Sequence, residues 1–99
     1  MPAFQEHETV RRRVIYSGRV QGVGFRYTTN AIARRHPISG YVRNCSDATV
    51  ELEVEGTPQA VDAFLSEVNR RFGWNITDRR VTEIPCQESE PVRGFSIRH

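Results

Sequence analysis

The chain has 99 residues, the size of one compact domain with a single hydrophobic core. Apolar residues make up 37% and charged residues 26% of the sequence, a balance typical of globular proteins and not of disordered or fibrous ones. Apolar runs are too short to span a membrane, and the first nine residues lack the apolar stretch of a secretory signal. We therefore expect a cytoplasmic protein.

The basic residues carry more information than the net charge of +2, because all 14 of them are arginine. Without lysine the chain excludes Schiff-base chemistry and the lysine of a Walker-type phosphate loop. Arginine is well suited to bidentate contact with phosphate or carboxylate, although such a bias can equally reflect genome composition. Cys45 and Cys86 form neither a CxxC pair nor a disulfide framework, so we expect reduced thiols.

In chain order, residues 1–9 are predicted to be a flexible leader and residues 10–99 a single domain. Residues 10–17 are rich in Val, Ile and Tyr, which favours a first strand. Residues 18–24 contain three glycines, which indicates a loop. Residues 25–36 then predict a helix that ends before Pro37.

The second half of the chain has clearer patterns. Residues 38–45 predict a second strand, and residues 49–55 alternate Val or Leu with Glu, which is typical of a half-buried strand with an acidic outer face. Thr57 is a good helix N-cap and begins an apolar helical pattern that ends at Gly73. Two further strands are predicted at residues 76–84 and 95–98.

The order β-α-β-β-α-β, with a short final strand, predicts an α+β fold, the ferredoxin-like sandwich. Its antiparallel sheet carries two helices on one face, plus a short C-terminal strand. A helical crossover makes the first two strands parallel, so the third fits between them. The glycine loop, Asn44 at the end of the second strand and residues 73–75 are then expected at one edge of the sheet.

The glycine loop, residues 18–26, reads GRVQGVGFR and joins a strand to a helix N-terminus. Glycines let successive N–H groups point into one concavity, and the helix end adds partial positive charge. Arg26 in the first helical turn can fork onto the same anion. A phosphate site and a purely structural turn are both open at this point. A dinucleotide fingerprint is excluded because the third glycine is missing.

The second segment of interest, residues 40–44, reads GYVRN and ends in Asn44. An amide both donates and accepts hydrogen bonds, so Asn44 can orient a water molecule. The alternative is a residue that only stabilises the turn.

These two segments resemble the two sequence motifs of the acylphosphatase family, and the resemblance extends over about residues 10–98. It implies metal-independent hydrolysis of acyl phosphates, with no cofactor, to a carboxylate and inorganic phosphate, which is then both product and inhibitor. Carried over by position, Arg26 binds the phosphoryl group and Asn44 positions the attacking water. The implied backbone cradle for the phosphate consists of Arg19, Val20, Gln21, Gly22, Val23 and Gly24.

Three positions depart from the family pattern. Tyr16 stands where an aliphatic residue is usual, Ala48 where the hairpin usually has glycine, and His36-Pro37 where Leu-Gly usually ends the first helix. These departures affect turns and packing, and not the two residues expected to carry the chemistry. We therefore expect the hairpin and the helix end to be shaped differently.

Several other functions are weighed against this one. An RNA-binding module of the same fold needs aromatic residues on its central strands, whereas the third strand offers glutamates that repel phosphate. A metal-carrier module lacks the CxxC pair. A non-catalytic anion-binding or regulatory module stays open, as does an acylphosphatase-like domain specific for carbamoyl phosphate. We expect a monomer that binds no nucleic acid and no membrane.

Overall fold

The computed structural model describes residues 8–85 and 94–99. Most of the predicted leader and Cys86 lie outside the described residues. The elements in chain order are β1 (Val10–Gly18), α1 (Phe25–Ala33), β2 (Ser39–Asn44), β3 (Val50–Gly56), α2 (Pro58–Arg71), β4 (Ile76–Ile84) and β5 (Phe95–Arg98). This order confirms the predicted ferredoxin-like fold.

The five strands form one sheet in the order β4-β1-β3-β2-β5. Strand β3 is antiparallel to both β1 and β2, and β4 is antiparallel to β1, so the first four strands form the predicted antiparallel sheet. Strand β5 adds to it in parallel beside β2. The C-terminal ends of β1, β2 and β5 therefore lie together, at what we call the loop edge, marked by Gly18, Asn44 and Arg98.

The core lies between the sheet and the two helices. In the centre of the sheet Leu52 is in register with both Val14 and Val42, and all three are fully buried. The departure at Tyr16 is accommodated in this core, where its ring lies 5.1 Å from that of Phe25. The Tyr16 hydroxyl is buried and has no hydrogen-bond partner among the described residues. Burial raises the pKa of this phenol above its usual value.

The two helices end as their sequences dictate, with one difference from prediction. Thr57 caps α2, because its Oγ1 accepts a hydrogen bond from Ala60 N at 3.1 Å. Helix α1 ends at Ala33, three residues earlier than predicted, and residues 34–36 continue as a turn. Pro37 disfavours helical backbone at His36, and the N–H groups of residues 34–36 bond to the carbonyls three residues back, in a tighter turn that replaces the α-helix. His36 instead contacts α2, with Nε2 2.8 Å from Glu67 Oε1.

The outer face of the sheet, which the helices leave uncovered, carries the predicted row of glutamates. The structure differs from a simple acidic surface because Glu51 and Glu53 are only 8% and 9% exposed. Arg43 pairs with Glu51 at 2.8 Å, and Arg13 pairs with Glu53 at 2.8 Å. The Tyr41 hydroxyl lies within hydrogen-bond distance of both carboxylates, which share its single hydrogen. The acidic row is therefore neutralised by side chains from the neighbouring strands.

Candidate active site

The glycine loop is fixed to the sheet at its first two residues. Gly18 has a φ of 118°, and a Cβ on it would lie only 2.3 Å from Asn75 O. Glycine is required there by both the backbone conformation and the space. The next residue, Arg19, donates its N–H to Asn75 O at 2.8 Å. The segment that enters β4 therefore lies at the loop edge, as predicted.

The far end of the loop leaves a row of backbone donors free. Gly24 is the N-cap of α1 in a left-handed conformation, and it offers no side chain to cap the helix. The first backbone bond of this helix runs from Thr28 N to Gly24 O. Within the residues that the structure describes, the N–H groups of residues 22–26 have no hydrogen-bond partner. Free donors at a positive helix end form a site for an anion.

A cavity of about 310 Å³ opens at these donors, and Asn44 from β2 forms another part of its wall. The topological prediction that the glycine loop and Asn44 meet is therefore confirmed. The volume is at the small end of the range for small-molecule sites. The lining residues are Val20, Gly22, Gly24, Phe25, Arg26, Tyr27, Asn44, Ile97 and His99.

Arg26 crosses from the first turn of α1 to the end of β5. Its Nη1 donates to Arg98 O at 3.2 Å and lies 3.2 Å from His99 Nδ1. Because a guanidinium can only donate, the histidine nitrogen accepts in this contact. The Nε and Nη2 donors of Arg26 have no partner among the described residues, so they are available to an anion.

Asn44 is the last residue of β2 and is in register with Val50. Its amide oxygen is buried and has no hydrogen-bond partner in the described part of the chain. An unpaired buried acceptor costs about 1–3 kcal/mol, which a bound water or ligand would recover if the amide turned toward the cavity. The Asn44 amide oxygen can therefore accept a hydrogen bond from a bound molecule, next to the unpaired N–H groups of the loop.

Gln21 lies in the middle of the loop, but its side chain does not line the cavity. Its Nε2 donates to Cys45 O at 2.9 Å and to Thr49 O at 2.8 Å, across to the hairpin between β2 and β3. In that hairpin the Thr49 hydroxyl and amide donate to Asp47 and hold the pKa of this carboxyl below its usual value.

The structure brings together five of the eight residues that the sequence singled out. Arg19, Gln21 and Val23 do not line the cavity. Four wall residues were not singled out from the sequence: Phe25, Tyr27, Ile97 and His99. The signal that would have found the last two is the direction of β5, since parallel pairing with β2 puts the end of β5 at the loop edge.

A larger cavity of about 420 Å³ lies between α1 and α2, near Ile32 and Glu67. It contains none of the predicted site residues. Among residues 8–85 and 94–99, no three His, Cys, Asp or Glu side chains are grouped so that they could hold a metal ion. No helix in the described part has the length and apolar character to cross a membrane.

Comparison with known proteins places this chain in a family. The family model described as acylphosphatase matches residues 12–97. The chain belongs to the acylphosphatase family. The acylphosphatase of Oceanobacillus iheyensis is 48% identical over 90 residues, which cover 88% of this chain and 96% of that protein.

Two solved structures have the same fold, one over its whole chain and the other over a small part of a much longer chain. The crystal structure of the Bacillus subtilis acylphosphatase has a TM-score of 0.78 and 35% identity, and the match covers 91% of this chain and 99% of that one. The HypF structure from T. kodakarensis has a TM-score of 0.74 and 30% identity, but the 93% of this chain that matches covers only 12% of HypF. The named relatives support acylphosphatase activity, a hydrolase function, for this chain.

Proposed function

We propose that this acylphosphatase hydrolyses the carboxyl–phosphate anhydride of acyl phosphates through the cavity at the loop edge. One observation carries the proposal. A single cavity is lined by Gly22, Gly24 and Arg26, whose backbone N–H groups have no partner among the described residues, and by Asn44, whose amide oxygen has none there either. These are donors for a phosphoryl group beside a group that can orient water.

The roles divide by chemistry. The backbone of residues 20–24 cradles the phosphoryl oxygens, and Arg26 contacts them through its free Nε and Nη2. The Arg19 N–H, already bonded to Asn75 O, holds the start of the cradle. The Asn44 amide turns toward the cavity and positions the attacking water. Donors fixed before the substrate arrives stabilise charge on the phosphoryl oxygens without reorganising.

The reaction balances without another reactant. The water oxygen forms a bond to phosphorus as the bond from phosphorus to the acyl oxygen breaks, and the electron pair leaves with the carboxylate. The protons of the water end on inorganic phosphate. A carboxylate is already a good leaving group, so positioning and fixed donors suffice, and we propose that no metal and no cofactor take part.

A second candidate, which the sequence leaves open, is a preference for carbamoyl phosphate. A non-catalytic anion-binding module is the third. A monomeric state and a cytoplasmic location stay predictions from the sequence.

The deciding experiment measures phosphate release from acetyl phosphate and from carbamoyl phosphate, each with an excess of chelator. We expect release from acetyl phosphate with kcat/KM at least as high as from carbamoyl phosphate, unaffected by the chelator. Activity that disappears in chelator and returns with Mg²⁺ or Zn²⁺ would contradict metal independence. Strong selectivity for carbamoyl phosphate would favour the second candidate.

An NMR titration with inorganic phosphate tests the cradle separately. We expect the amide signals of residues 22–26 to move, and phosphate to inhibit turnover competitively. Shifts at the loop without any turnover would favour the non-catalytic module. Unmoved signals at the loop would refute the cradle.

A further inference from the structure

The Gln21 side chain connects the glycine loop to the β2–β3 hairpin. Its amide nitrogen has two hydrogens, and both are used, one to Cys45 O at 2.9 Å and one to Thr49 O at 2.8 Å. The side chain is partly buried, and these are the distances of well-formed hydrogen bonds. The contact spans 24 and 28 residues of sequence, so it joins two segments that are otherwise separate in the chain.

The two acceptors belong to the residues that close the hairpin. Cys45 N donates to Thr49 O at 2.8 Å, one step beyond the register pair of Asn44 and Val50. Gln21 therefore bonds to both sides of the hairpin directly next to Asn44. These two bonds connect the loop to the hairpin beside Asn44.

The loop has few other restraints. Arg19 N is bonded to Asn75 O, and the Val20 side chain is buried in the core. Beyond Gln21 the chain passes through Gly22 and Gly24, both with a φ of 77°. Glycines are flexible, and the N–H groups of residues 22–26 have no partner in the described residues. Gln21 is the last fixed point before the free donors.

We infer that Gln21 is a positioning residue, whose side chain sets the distance between the phosphate cradle and Asn44. This inference rests on the proposed function, in which the cradle holds the phosphoryl group and Asn44 holds the water. The Gln21 side chain is bonded to the hairpin and is not in the cavity wall, so it acts through the cradle and Asn44. Misplacement of reacting groups by about 1 Å can cost on the order of 10²-fold in rate.

The kinetic test is a double-mutant cycle between Gln21 and Asn44. Gln21→Met keeps the length of the side chain and removes both donors, and we expect kcat to fall on the order of tenfold. In an Asn44→Ala background the same change is expected to cost less than about twofold, because the partner whose position it controls is gone. Equal factors in the two backgrounds would overturn the inference, since a general loosening of the loop acts in both.

Two further variants keep this test sound. Gln59→Met, an exposed glutamine on α2 at the opposite end of the sheet, is the matched control and is expected to leave kcat unchanged. If Gln21→Met does not fold, Gln21→Glu has the same length and also lacks both donors. The added charge of the glutamate affects kcat equally in the parent and in the Asn44→Ala background. The difference between the two fold-changes therefore still tests the inference.

A phosphate titration followed by NMR separates this inference from the proposed function. In the parent protein, inorganic phosphate is expected to shift the loop amides and also those of Ala48 and Thr49, which lie outside the cavity. In Gln21→Met the loop shifts should persist and the hairpin shifts should disappear. Hairpin shifts that survive would overturn the inference alone, whereas absent loop shifts in the parent would overturn the proposed function as well.

Discussion

At the scale of single residues, Arg26 is expected to contribute to phosphate binding as well as to turnover. Its free Nε and Nη2 match two phosphoryl oxygens, and the point charge of a lysine cannot reproduce that geometry. We expect Arg26→Lys to raise the inhibition constant for inorganic phosphate and to lower kcat/KM, each about tenfold or more. Arg70→Lys, on the exposed surface of α2, is the control. A normal inhibition constant in Arg26→Lys would contradict the bidentate role.

Asn44 is expected to act on turnover and much less on phosphate binding. Replacement by alanine removes the group that we propose orients the water, so kcat should fall on the order of 10²-fold or more. The affinity for inorganic phosphate should change little. Because the Asn44 amide oxygen has no partner among the described residues, the substitution leaves none of them unpaired, and circular dichroism should show a native fold. A variant with near-normal kcat would assign Asn44 to the turn alone.

At the scale of elements, the β2–β3 hairpin contains a residue other than glycine in a left-handed backbone conformation. Ala48 has a φ of 74°, where the Cβ of an L-residue crowds the backbone at a cost of about 1–2 kcal/mol. We expect Ala48→Gly to increase the free energy of unfolding by about 1 kcal/mol, measured by urea denaturation.

An alanine-to-glycine substitution in α2 provides the control, and it is expected to lower the free energy of unfolding. Ala63 is exposed in the interior of α2, where glycine should lower stability by about 1 kcal/mol. If both changes destabilised the protein, strain at Ala48 would not be the reason.

The elements also show what the sequence could and could not predict. Alternation in β3 and the Thr57 cap are local signals, and the structure has both where they were predicted. The early end of α1 depends on the competition between its helical pattern and Pro37, which the apolar spacing does not report. The contacts of Gln21 and His99 with other elements depend on how strands that are distant in sequence pair, which no local pattern contains.

At the scale of the whole molecule, the outer face of the sheet brings charges together from three strands. Arg11 of β1 pairs with Glu55 of β3 at 2.8 Å, and Arg43 of β2 pairs with Glu51 at the same distance. Alternation along β3 predicts a row of glutamates but not their partners, because those are fixed by the register of the neighbouring strands. Glu51, Glu53 and Tyr41 form one connected group on this face.

This arrangement gives the molecule a specific response to alkaline pH. Partial burial, with hydrogen bonds to Glu51 and Glu53, raises the pKa of Tyr41, and burial raises that of Tyr16. Both groups then hold their protons more tightly folded than unfolded, where a tyrosine titrates near pH ~10. Their contribution to stability is complete below that pH and is lost as pH rises above it. The chain has no lysine, so tyrosines dominate this window.

We therefore expect the free energy of unfolding, measured by urea denaturation, to be lower at pH 11 than at pH 9. Tyr41→Phe and Tyr16→Phe should each reduce that loss, because each removes one proton that unfolding would release. Their effects near pH 7 should differ in sign. Tyr41→Phe removes the hydrogen that Glu51 and Glu53 share and should destabilise. Tyr16→Phe removes a buried hydroxyl that has no partner among the described residues and should stabilise by about 1 kcal/mol. An alkaline loss of the same size in both variants as in the parent would show that these two phenols are not its source.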